Sequence, residues 1–297
     1  MRGRIRFLIL FVWFSWSSGG AMAQSLEGTA PLTEEGDLAA RMVSGIDQYL
    51  LRLTEETAAN RAGQWHRDFS SPENYGNSME PYRKQLRAIL GVVDERDPVR
   101  AELIRPLSMG GSESSGLHSA PLAEGDRFSL YEIRWSVFRG VQGDGLLLEP
   151  RDQPKANVVA LPDCGWTPEM LVGLTTGLPE SAQFARRLAE NGCRVVVPCL
   201  IGRSPEGSGI PGGRPSRLPK REFLWRVFYE MGRTLAGHEI QKTLSVIDWF
   251  TGMDPSTPIG VIGYGEGGMI AFHAAALDPR FSAAAVSGYF QPRENLW

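Results

Sequence analysis

The chain has 297 residues, 42% of them hydrophobic, with 31 Lys and Arg against 34 Asp and Glu. That length holds one large α/β domain with an N-terminal extension or two small domains, and the composition is that of a globular chain rather than a disordered one. A formal charge of −3 leaves no basic surplus to neutralise phosphates, so nucleic acid is excluded as an expected partner.

Residues 1–23 read as a cleavable export signal. Arg2, Arg4 and Arg6 form the basic start, Phe7 to Trp16 the apolar centre, and Ala21-Met22-Ala23 the small-residue site before Gln24. The apolar run is too short for a lasting anchor, and no later run is longer, so a secreted or periplasmic chain with no stable membrane span is expected. Removing this segment leaves 28 basic against 34 acidic residues, a net −6. Three cysteines, an odd number, rule out a full disulfide framework. Cys193 and Cys199 flank an extended strand that holds them apart. Cys164 with Cys199 is the one pair able to approach, and three separate thiols are the expectation.

A polar linker covers 24–36, and a helical extension follows over 37–100. In it Leu38, Met42, Ile46, Tyr49, Leu50 and Leu53 recur at spacings of three and four, a stripe expected to pack against other helices. Ser71-Pro72-Glu73 opens a second helical piece that continues through Tyr82 to Leu90. The remaining chain, 101–297, reads as an α/β domain. Tyr131 to Phe138 alternates as a strand, Gly143-Asp144-Gly145 reads as a turn, and Leu146-Leu147-Leu148 resumes as a strand. From residue 156 strands alternate with helices. Val158–Leu161, Arg194–Pro198, Ile259–Ile262 and Phe281–Val286 are short apolar strands. Ser181–Asn191 and Arg221–Phe250 are helical, the latter with a break near Gly232 or Gly237. Ile201 to Lys220, without periodicity, reads as a surface loop. The pattern predicts a mostly parallel sheet with helices on both faces and the four short strands adjacent.

The segment Val261-Ile262-Gly263-Tyr264-Gly265-Glu266-Gly267-Gly268 has the frame of a hydrolase nucleophile turn: apolar strand, Gly-x-nucleophile-x-Gly, helix. Its apex is Gly265, which has no side chain and cannot form an acyl-enzyme. A side-chain-bearing apex residue is held at positive φ at a cost of about 1–3 kcal/mol, which glycine relieves. No other group replaces the nucleophile convincingly. Glu266 is expected to diverge from the line of attack, Asp163 to face solvent from the opposing loop, and Ser287 to lie one strand away. Cys164 has no paired histidine. Only 32 residues follow Gly265, with no acid–His pair among them. His66, His118, His238 and His273 lack ligand spacing and no Cys-x-x-Cys occurs, so neither metal nor other cofactor is expected.

The segments Trp135–Pro150, Val158–Asp163, Met231–Phe250 and Gly263–Gly268, in that order over roughly 130–290, resemble the α/β-hydrolase superfamily. Within it they are similar to the acetyl xylan esterase and dienelactone hydrolase-like group of secreted bacterial proteins. The resemblance implies an esterase-like hydrolase acting on acylated carbohydrate or another small ester. It also implies an oxyanion hole built from the backbone N–H groups of Glu266 and of the Asp163–Trp166 loop, Cys164 being the candidate there. In such proteins acid and histidine lie on later strands, so the α/β domain is expected to be C-terminally incomplete, a fragment. The leading reading is an esterase-like homologue, inactive as given and without catalytic residues. The alternatives are two. One is a carbohydrate or carboxylate binding module that uses the turn and the Gly202–Arg221 loop, with Arg203, Arg214, Arg217, Lys220 and Arg221. The other is a structural envelope-associated protein.

Overall fold

The computed structural model describes residues 27–30, 33–104, 120–202 and 218–292. The chain divides into two compact units, Met1–Ala62 and Gly63–Trp297. In the first, helix α1 (Leu38–Asn60) starts where the Asp37 carboxylate accepts hydrogen bonds from the N–H groups of Ala39 and Ala40. The apolar stripe expected to pack is exposed instead, and α1 has no buried residue. Its own unit holds no second long helix or strand, among the described residues, that could cover it.

The second unit opens with α2 (Pro72–Leu90), capped by the Ser71 hydroxyl and begun by a proline that needs no hydrogen-bond partner there. Eight strands form one sheet: β1 (Ala101–Ile104), β2 (Ala123–Glu124), β3 (Phe128–Phe138), β4 (Val141–Pro150), β5 (Asn157–Leu161), β6 (Arg194–Pro198), β7 (Ile259–Tyr264) and β8 (Phe281–Ser287). Their order is β1-β3-β4-β6-β5-β7-β8, with β2 beside β3. The β6-β5-β7-β8 half is parallel, so the four short apolar runs are neighbours as their pattern predicted. The rest is antiparallel.

Side-chain alternation along the strands builds two cores. On one face Ile133, Trp135, Val159, Val196 and Val261 meet α6 (Leu235–Met253) and α7 (Glu266–Leu277). On the other, Leu148, Val158, Ala160 and Val197 meet α3 (Pro168–Val172) and α4 (Phe184–Glu190). The Trp135 indole N–H donates to the Ser245 hydroxyl at 2.9 Å, so its polar edge is satisfied inside the core. The long predicted helix is two: α5 (Lys220–Glu230) and α6, parted at Gly232, whose φ is +66°.

The predicted turn at Gly143-Asp144-Gly145 is a correction. All three lie inside β4, and the hairpin turns at Arg139-Gly140. These glycines permit close approach rather than reversal. A Cβ on Gly143 would sit 2.4 Å from the Trp135 indole, and one on Gly145 would sit 2.3 Å from the Val197 carbonyl oxygen. Gly143→Ala is therefore expected to lower stability by about 1–3 kcal/mol, as overpacking does. Urea unfolding checks this, and an unchanged midpoint would show that the indole moves freely.

Candidate active site at the β7–α7 turn

β7 ends at Tyr264, Gly265 turns the chain at φ +57°, ψ −120°, and α7 begins at Glu266. Strand and helix cross closely because the flanking residues have no side chains. A Cβ on Gly267 would lie 2.3 Å from the carbonyl oxygens of Leu161 and Pro162. The far end of α7 is fixed by Arg87, which donates to the Leu277 carbonyl at 2.7 Å. The backbone N–H of Gly265 donates to the Ser287 carbonyl, extending the β7–β8 ladder by one bond.

Asp163, just past β5, is not solvent-directed as the sequence suggested. It is half-buried, and its Oδ1 accepts the Glu266 N–H at 2.8 Å. The first N–H groups of a helix have no partner within it, and its positive end favours an anion, so the carboxylate is drawn onto the start of α7. A Cβ on Gly265 would meet Asp163 Oδ1 at 2.5 Å and Cγ at 2.8 Å. The carboxylate thus fills the space in front of the apex and occupies one of the two backbone donors implied for an oxyanion. Beside it, the Trp166 ring stacks on Tyr264, with centroids 4.9 Å apart and planes 4° from parallel. Tyr264 is 42% exposed, so this aromatic pair reaches the mouth of the turn.

The Glu266 side chain, only 10% exposed, pairs with Arg221 at the start of α5, and Arg221 also donates to the Ile201 carbonyl at 2.8 Å. The Ile201 N–H donates to Glu239 Oε1 at 2.8 Å. Glu239 in turn holds Lys242 at 2.5 Å, with side-chain exposures of 2% and 6%, and Lys242 donates to the Cys199 carbonyl. A buried ionic chain therefore ties the segment after β6 to α6 and, through Arg221, to the start of α7. Sequence patterning missed it. Its one signal was a Glu and a Lys three residues apart on a helix read only by its apolar stripe.

The other residues singled out in the sequence are scattered. Cys164 and Cys199 follow the parallel neighbours β5 and β6, so they share the sheet's carboxyl edge, yet neither they nor Cys193 forms a disulfide. His273 bonds through Nδ1 to the Met269 carbonyl on its own helix, and His66 is exposed. Lys220 and Arg221 belong to α5 rather than to the loop, whereas His118, Arg203, Arg214 and Arg217 lie outside the described residues. Among the described residues no His, Cys, Asp and Glu cluster could hold a metal ion, and no helix is long and apolar enough to cross a membrane.

His238, in the first turns of α6, lies between the rings of Phe138 and Phe228. Burial pushes its pKa down, and Lys242 adds to this, against the opposing pull of Glu239 and Asp94. The folded state therefore prefers neutral imidazole. The resulting stability is complete above the unfolded value of about 6.5 and is lost as pH falls below it toward the lowered native value. The melting temperature is expected to drop more between pH 7.5 and 5.5 for the natural chain than for His238→Gln. Equal drops would show that His238 titrates alike in both states.

A mixed sheet with helices on both faces, and a strand–turn–helix elbow with a positive-φ apex after an interior parallel strand, defines an α/β-hydrolase fold. The dienelactone hydrolase family profile matches residues 144–294, half of the sequence, and the chain belongs to that family. The chain is also similar to several solved structures. A Bacteroides fragilis chain provisionally named an acetyl xylan esterase is 16% identical with TM-score 0.51, over 74% of this chain and 54% of that one. A methylesterase is 16% identical with TM-score 0.47, over 78% and 44%. Acetyl xylan esterase 1 from Thermoanaerobacterium sp. is 16% identical with TM-score 0.43, over 69% and 56%. The chain thus spans about half the length of these structures. No curated protein matches it.

Proposed function

We propose that this chain is an exported, esterase-like member of its family that performs no serine-type acyl transfer at its elbow. In this reading residues 1–23 are a removed signal, 24–36 a linker and 37–100 a helical extension before the hydrolase-type domain. The observation that carries it is the Asp163 carboxylate on the Glu266 N–H, 2.5 Å from where a Gly265 Cβ would be. An ester entering the turn would meet a fixed negative charge where negative charge must develop, and the apex offers nothing to attack its carbonyl. The test is hydrolysis of a small activated acetyl ester by the mature chain, residues 24–297. No turnover above buffer is expected, and saturable turnover would refute the reading.

A second reading, a carbohydrate-binding module at the same turn, is favoured by Trp166 stacked on Tyr264 beside a carboxylate. A carboxylate ligand is less well supported, because Arg221, at the start of α5, is engaged by Glu266. Trp166→Ala would abolish sugar binding there if this reading holds and leave it unchanged if it does not.

A further inference from the structure

Helix α1 carries an apolar face that no described element of its own unit covers. Met42, Ile46, Tyr49 and Leu53 follow one another at spacings of four, three and four, the seam spacing of helices that pair along their length. Leu38, Val43 and Leu50 flank that seam. These side chains are between 38% and 66% exposed. A helix in a protein owes most of its stability to packing of such a face, so this one calls for an occupant.

Area and charge together select that occupant. The 23 residues of α1 span about 35 Å. Two copies laid face to face over that length would take on the order of 1,000 Å² out of water, which is what a specific interface needs. The polar side carries Arg41 and Arg52 against Asp47, Glu55 and Glu56, with no Lys. That balance is acidic, unlike the Lys- and Arg-rich face of a helix that lies on an anionic membrane.

The same charges set the direction of pairing. Arg41 and Glu55 lie near opposite ends of α1 on one side of it, about four turns apart. An antiparallel pair crossing near Gln48 sets Met42 opposite Leu53, Ile46 opposite Tyr49, and Arg41 opposite Glu55 of the other copy. A two-fold pair repeats every contact, so the ion pair forms twice. A parallel pair would set each charge beside its own like. Within one chain Arg41 pairs with Glu34 at 2.8 Å, both more than half exposed, a contact weak enough to be exchanged.

We propose that α1 is a self-association surface that pairs antiparallel with α1 of a second copy of this chain. The proposal does not rest on the reading of the elbow.

The test is sedimentation velocity of the mature chain, residues 24–297, over a wide range of concentration. Near-ultraviolet circular dichroism checks that each variant keeps its α/β domain. The natural chain should pass from monomer to dimer as concentration rises. Ile46→Asp, at an exposed position, should stay monomeric with an unchanged spectrum. Glu55→Arg turns two attractions into two repulsions and should weaken the dimer by about tenfold, and adding Arg41→Glu should restore it. Vesicles of phosphatidylcholine and phosphatidylglycerol should not carry the chain down. A natural chain that is monomeric at every concentration would overturn the proposal, as would a monomer that sediments with the vesicles. So would a dimer that survives Ile46→Asp, or one that Glu55→Arg leaves unchanged.

Discussion

Glu239→Leu is expected to lower the folding free energy by about 3–5 kcal/mol, because it leaves the Lys242 ammonium buried without its counter-charge. The pair is only 2% and 6% exposed, so water cannot take the place of the missing partner. The variant also strips the Ile201 N–H of its acceptor, so the segment after β6 should loosen along with the helix. A second change gives the argument its edge. Glu239→Leu combined with Lys242→Met removes both charges, and buried ion pairs replaced by apolar residues are often neutral in stability. The double variant should therefore recover most of the loss. A single variant within about 1 kcal/mol of the natural chain would mean that the pair is hydrated and contributes as a surface pair does.

Gly265→Ser should also be severe, and without benefit to catalysis. The new Cβ must adopt φ +57°, at about 1–3 kcal/mol. It must also push Asp163 off the Glu266 N–H, losing a charge-assisted bond worth about 1.5–3 kcal/mol. The described group at hand to take its proton is the Asp163 carboxylate, a weak base, so most of the roughly 10²–10⁴-fold that a well-matched general base supplies is forgone. Chemical unfolding should show the destabilisation, and adding Asp163→Gly should return part of it by making room. Ester turnover gained by Gly265→Ser alone would mean that a stronger base stands within reach of the apex.

The parallel half of the sheet was legible because each strand is a short apolar run between helical patterns, a local signal. The elbow was legible for the same reason: glycines at 263, 265 and 267 mark a turn wherever the rest of the chain lies. What escaped were relations between distant residues. Gly143 and Gly145 looked like a turn because nothing near them in sequence announces the Trp135 ring or the Val197 carbonyl against which they pack. Asp163 was visible as a residue of interest, yet its position on the Glu266 N–H depends on α7 starting 103 residues later. The Glu239–Lys242 pair was hidden because charge on a helix usually marks its wet face, and here α6 is buried nearly all round. The α1 stripe failed in the opposite sense, since apolar periodicity states that a face is coverable, not that its own unit supplies the cover.

The most direct measurement of the central claim, that the elbow carries no competent serine nucleophile and is closed by Asp163, is intact-mass spectrometry after exposure to a fluorophosphonate. The folded chain, residues 24–297, is incubated with the reagent, digested and mapped. The account predicts an unchanged mass and no modified peptide. A single stoichiometric adduct on any serine of the folded chain, absent after denaturation, would contradict it and locate a displaced nucleophile.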